Sequence, residues 1–88
     1  MIKVIKFEAK WCGPCKALKP IFENVSNKFG NNINFSYVDI DEKFEVAQKH
    51  HVRSVPTVIV EKNGEEVNRF VGVQSELTYT NALNEISL

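Results

Sequence analysis

Two hydrophobic rhythms alternate along the chain. Ile2 to Glu8 is dense in β-forming residues and reads as a strand. After it, Cys15, Leu18, Phe22, Val25 and Phe29 recur at alternating spacings of three and four, which predicts an amphipathic helix from about Pro14 to Phe29. Pro20 falls inside this helix and should kink it. Gly30-Asn31-Asn32, which tolerate left-handed backbone, should end it. Ile33 to Ile40 returns to strand, with Ile33, Phe35, Tyr37 and Asp39 on one face and Asn34, Ser36, Val38 and Ile40 on the other. Asp41 has the chemistry of an N-cap for a short helix through about His50, with Phe44 and Ala47 on its buried side. Val52 to Pro56 is a connecting loop, and Thr57 to Lys62 a third strand. Asn63-Gly64 is a strong two-residue hairpin signal. Glu65 to Val71 then returns as an antiparallel strand whose charges suit a sheet edge. Ser75 should cap a last helix running to the C-terminus, with Leu77, Leu83 and Ile86 among its buried residues. The order is β-α-β-α-β-β-α, without linker, repeat or low-complexity segment, and predicts one α/β domain over residues 1–88.

Composition narrows the class. The 88 residues are 43% hydrophobic and 25% charged, ordinary values for a globular domain with a modest core. Formal net charge is zero, with no block of like charge, which argues against an electrostatic grip on nucleic acid or a membrane surface. No apolar run approaches the ~18 residues of a membrane span. Lysines interrupt the apolar stretch from Met1 to Phe7, which has neither the apolar core nor the cleavage site of a signal peptide. The expected location is the cytoplasm, where a pair of cysteines acts in redox or metal chemistry more often than as a structural staple.

The two cysteines carry the chemistry. Cys12 and Cys15 are the only ones in the chain, set between the first strand and the first helix in Trp11-Cys12-Gly13-Pro14-Cys15-Lys16. That context points to thiol–disulfide exchange. With Cys12 at a helix N-terminus, Cys15 lies one turn on, so the two sulfurs can close a small ring. Unpaired N–H groups and a positive partial charge there favour the Cys12 thiolate, the nucleophilic form. Gly13 and Pro14 shape the turn, and Pro14 fits an early helical position because it has no N–H to lose. Cys15 heads the apolar stripe and should face inward while Cys12 faces solvent. The first strand, which delivers this site at its C-terminal end, should be the central parallel strand. Structural zinc wants four ligands, and His50 and His51, the sole histidines, lie far along the chain. Both histidines read as solvated residues at a helix C-terminus. Trp11, beside the nucleophile, reads as a partly exposed ring on the substrate surface.

The run from Trp11 to Lys16 resembles the WCGPCK active site of the thioredoxins. Ser54-Val55-Pro56-Thr57 resembles that family's cis-proline loop, and Asn63-Gly64 and Gly72 fall at its hairpin turn and its late glycine. The resemblance implies the thioredoxin fold in a minimal β-α-β-α-β-β-α form, lacking the N-terminal strand and helix of full-length members. It implies a four-stranded mixed sheet with helices on both faces. It implies a protein-disulfide reductase with Cys12 as nucleophile and Cys15 as resolving thiol. A cis bond at Pro56 would turn the Val55 backbone toward the dithiol, where it could pair with an extended substrate, and Gly72 would relieve backbone crowding and contact substrate. No bound cofactor or metal is implied. Reducing equivalents would come from NADPH through a flavin-containing reductase, and the expected species is a monomer acting on disulfide-containing proteins.

The chain also departs from the family. Thioredoxins usually carry a buried aspartate six residues before the first cysteine, where this chain has Lys6. The lysine that accompanies it aligns with Tyr37, and a tryptophan four residues before the cysteine aligns with Glu8. A lysine ammonium near Cys15 would favour its thiolate, whereas a neutral lysine could shuttle a proton. Two expectations follow: Lys6 and Glu8 replace the usual proton relay, or Lys6 snorkels to the surface because the strand is more open. Two rival functions stand beside the reductase. One is a glutathione-coupled, glutaredoxin-like protein, against which the Gly-Pro pair weighs. The other is a redox-quiet binding module that uses the groove to hold a partner.

Overall fold

The computed structural model describes residues 1–87, and its elements follow the two rhythms closely. They are β1 (Ile2–Glu8), α1 (Gly13–Phe29), a 3-10 turn over Gly30–Asn32, β2 (Ile33–Asp39), α2 (Phe44–Lys49), β3 (Thr57–Lys62), β4 (Glu65–Val71) and α3 (Glu76–Ser87). Leu88, the last position of the predicted final helix, lies outside the described residues. The four strands form one mixed sheet in the order β2-β1-β3-β4. β1 runs parallel to β2, from Ile2 opposite Ile33 to Glu8 opposite Asp39, and antiparallel to β3. β3 and β4 pair antiparallel with a register shift at Val60/Glu61.

Alternation along the strands separates two cores. Val4, Val58 and Val60 point to one face and meet Leu18, Phe22 and Val25 of α1 and Tyr79 and Leu83 of α3. Ile5, Phe7 and Ile59 point to the other and meet Val38 and Ala47. Each large side chain so buried contributes roughly 1.5–3 kcal/mol. α1 runs through Pro20 and ends at Gly30, which holds φ +51. Asn63 and Gly64 both take positive φ, as the tight hairpin requires. Ser75 Oγ accepts the Thr78 N–H at 3.2 Å, so the predicted cap of α3 forms.

Three expectations are corrected. Asp41 does not cap α2. Asp39 instead closes a turn, its carboxylate accepting the Asp41 N–H and its carbonyl accepting those of Glu42 and Lys43, so the helix starts only at Phe44. Phe44, expected in the core, is 64% exposed, because a helix of less than two turns covers the sheet mainly through Ala47. Leu77, in the first turn of α3, is 66% exposed, and Tyr79 and Leu83 fill the space against α1.

Candidate active site

β1 delivers the chain to the C-terminal edge of the sheet. The Cys12 N–H closes a turn onto the Ala9 carbonyl at 3.2 Å, and Cys12 becomes the N-cap of α1 with extended backbone (φ −88°, ψ 111°). Gly13 and Pro14 occupy the first helical positions, where the missing proline N–H leaves no hydrogen bond unmade. Cys15 follows one turn on, its Cα 5.3 Å from that of Cys12, and the two are disulfide-bonded. The Cys15 N–H donates to Cys12 Sγ at 3.1 Å. No acidic residue in the first turn of α1 opposes the positive end of the helix.

Both cysteines are buried, Cys12 at 4% exposure and Cys15 at 5%. The expectation that Cys12 faces solvent is therefore corrected: Ala9, Ile40 and Val55 pack around the pair and cover it. The Val55–Pro56 bond is cis, and the Val55 carbonyl oxygen lies 3.6 Å from Cys12 Sγ. The Gly72 N–H donates to the Pro56 carbonyl at 2.9 Å from a backbone at φ +86°. A Cβ on Gly72 would meet nothing within 4 Å, so this left-handed conformation, not crowding, is what asks for glycine.

Trp11 is 67% exposed, and its Nε1 donates to the Asp41 carboxylate at 2.8 Å. Asp41 is a site residue that the sequence reading placed elsewhere. The parallel β1–β2 pairing brings the ends of both strands to one edge, and that topology was the available signal.

Lys6 does not snorkel. It is 2% exposed, with Nζ 3.0 Å from the Glu8 carboxylate and about 5 Å from the ring centres of Phe22 (5.2 Å) and Tyr37 (5.1 Å). Tyr37 is its partner across the β1–β2 pairing, so the aromatic side chains seal the ammonium against solvent. Glu8 borders two clefts: with Cys15, Lys16, Lys19 and Asp39 it lines one of about 310 Å³, and with Lys6, Lys19 and Tyr37 a second of about 180 Å³. A larger cleft of about 600 Å³ lies at the opposite end of the sheet, beside Ile2 and Lys62, away from the sulfurs. Among the described residues no group of three or more His, Cys, Asp or Glu is placed to hold a metal ion. Nor is any helix long and apolar enough to cross a membrane. His51 is exposed as expected, but His50 is not solvated: its ring packs on Phe7, with centroids 5.5 Å apart.

Comparison with known proteins agrees with this geometry. The thioredoxin family model matches residues 1–85. Thioredoxin H2-1 of rice (Oryza sativa subsp. japonica) is 42% identical over 73 residues, covering 83% of this chain and 52% of the rice protein, so the chain spans about half that relative's length. A thioredoxin of Staphylococcus epidermidis is 36% identical over 84 residues, covering 96% of this chain and 81% of its own. A mutant thioredoxin from Halobacterium salinarum superposes with a TM-score of 0.90 at 30% identity, over 99% of this chain and 75% of that one. Matched in sequence over nearly its whole length and in fold around a buried disulfide at a helix N-terminus, the chain belongs to the thioredoxin family.

Proposed function

We propose that this chain, as a single domain over residues 1–88, reduces protein disulfides by dithiol exchange. The observation that carries the reading is the Cys12–Cys15 disulfide at the start of α1, facing the carbonyl of Val55 across a cis proline bond. In the reduced protein the Cys12 thiolate attacks one sulfur of a substrate disulfide, forms a mixed disulfide and expels the other sulfur as a thiolate. Cys15 then loses its proton and attacks Cys12 Sγ, which releases the second substrate thiolate and restores the Cys12–Cys15 disulfide. Two electrons pass from the dithiol to the substrate. The Cys15 N–H, 3.1 Å from Cys12 Sγ, and the helix dipole support the nucleophilic thiolate. Trp11, Val55, Pro56 and Gly72 form the substrate groove, and Gly13 and Pro14 hold the turn. Lys6 and Glu8 handle the Cys15 proton, Glu8 through the cleft it shares with Cys15 and Lys6 through its ion pair to Glu8.

The protein binds no cofactor in this reading. A flavin-containing reductase fed by NADPH restores the dithiol, and the working species is a monomer in the cytoplasm or another reducing compartment. The test is turnover of insulin disulfides. Cys12→Ser abolishes it, and Cys15→Ser accumulates a mixed disulfide that mass spectrometry detects. Absence of turnover in the wild type, with either a thioredoxin reductase or dithiothreitol as donor, rejects the reading. A reduction potential near the thioredoxin value of about −270 mV supports it over glutathione coupling, for which roughly −200 to −230 mV is expected.

A further inference from the structure

A second polar network stands on the α2 face of the sheet, away from the sulfurs. Arg69 lies on β4 opposite Ile59 of β3. Glu66 grips its guanidinium with both carboxylate oxygens, at 2.8 Å from Nε and 2.8 Å from Nη2. That bond holds the Glu66 carboxyl below the usual carboxylate range. The guanidinium also leaves its own strand: Nη2 donates to the His50 carbonyl at 2.7 Å and Nη1 to the His51 carbonyl at 3.4 Å. These carbonyls close α2, where a helix has no partners of its own to offer. The chain turns sharply at the same point, with His51 at φ +57°. The His50 ring adds three contacts: Nδ1 lies 3.0 Å from the Val46 carbonyl oxygen, Nε2 lies 3.4 Å from the Glu61 carboxylate, and the ring packs tilted on Phe7.

Only Val52, Arg53 and Ser54 separate this anchored turn from Val55. Val52 and Val55 pack on the same cluster of Ile5, Phe7, Val38, Ala47 and Ile59. At the far end, Thr57 Oγ1 donates to the Ser54 carbonyl at 2.8 Å. We propose that Arg69 is a positioning residue for the Val55–Pro56 groove: it fixes the exit of α2 so that the Val55 carbonyl stands against Cys12. The proposal rests on the reading of that groove as the substrate surface. A guanidinium suits the task because its planar fork of donors serves a carboxylate and two carbonyls together, which an ammonium cannot do in one plane.

The test compares wild type, Arg69→Gln, Arg69→Lys and the milder Glu66→Gln in three measurements. In insulin reduction, Arg69→Gln raises KM roughly tenfold with kcat nearly unchanged, as expected when a binding groove rather than a reacting group is displaced. Its reaction with the small disulfide DTNB, which needs no groove, falls much less than its reaction with insulin. Arg69→Lys fails to restore KM, and Glu66→Gln falls between. Amide exchange at Val52, whose N–H donates to the Ala47 carbonyl at 2.9 Å, accelerates in Arg69→Gln while α1 keeps its protection. An unchanged KM overturns the proposal, as do insulin and DTNB rates that fall together with the folded fraction. Unchanged exchange at Val52 overturns it even if the wild type reduces no disulfide, an outcome that would separately end the reductase reading.

Discussion

At the scale of single residues, Lys6 departs furthest from what its position in a central strand demands. Its ammonium is sealed by Phe22 and Tyr37, and its one carboxylate partner, Glu8, reaches partly into solvent. Lys6→Met keeps the stem and removes the charge, and Glu8 can turn to water. Its unfolding free energy should stay within about 1 kcal/mol of wild type or rise. Lys6→Ala also empties the space between the rings and should cost roughly 2–3 kcal/mol in urea denaturation. In both variants the pH profile of disulfide reduction should move to higher pH, because a cation that favours thiolate is gone. A profile identical to wild type would remove Lys6 from the proton path. Tyr79 gives a second test. Burial pushes its phenol above the usual value of 10. A raised folded value means that the unfolded chain ionises first, so this stabilisation is complete below about pH 10 and lost as pH rises through the folded value. Denaturation midpoints should fall as pH rises above about 10, and Tyr79→Phe should flatten that fall.

At the scale of elements, local chemistry was legible where it suffices to decide the backbone. Asn63-Gly64 demanded a tight turn, and the three-four spacing from Cys15 to Phe29 demanded one helical face. Ser75 announced its cap, and Ser75→Ala should lower stability by about 1 kcal/mol, read from thermal or urea unfolding. Asp41 carried the same signal and was misread, because two uses compete for its carboxylate and a tertiary one, the Trp11 indole, wins. Phe44 and Leu77 misled for a related reason: apolar character marks a candidate for burial, but which face of a short helix or first turn meets the sheet depends on the docking angle. The disulfide-bearing turn and the cis-proline loop that faces it were legible as six consecutive residues and one proline, since strand end, helix start and loop each left their own mark. Arg69 left none. A lone arginine on a charged edge strand looks like solubility, and its two carbonyl partners become visible only when the turn after α2 is folded against Arg69.

At the scale of the molecule, the redox state and the stability of the fold are one equilibrium. The two cysteines are three positions apart, and for so short a ring the loop-entropy relation puts the constraint on the unfolded chain at about 2 kcal/mol. The oxidised protein should unfold at higher urea than the reduced one by that amount. The same cycle makes the folded pair a stronger reductant than the unfolded pair by about 40 mV. Equal midpoints for the two forms would show that folding does not bias the couple. The two rims of the sheet differ as well. β4 presents Glu65, Glu66 and Arg69, whereas β2, the opposite outermost strand of the described residues, has Asp39 as its one charge and leaves Tyr37 half exposed. With formal net charge near zero at neutral pH, little long-range repulsion keeps copies apart. Self-association in concentrated solution is thereby most sensitive to that thinly charged strand, and a lysine placed along it should lower the turbidity of such a solution.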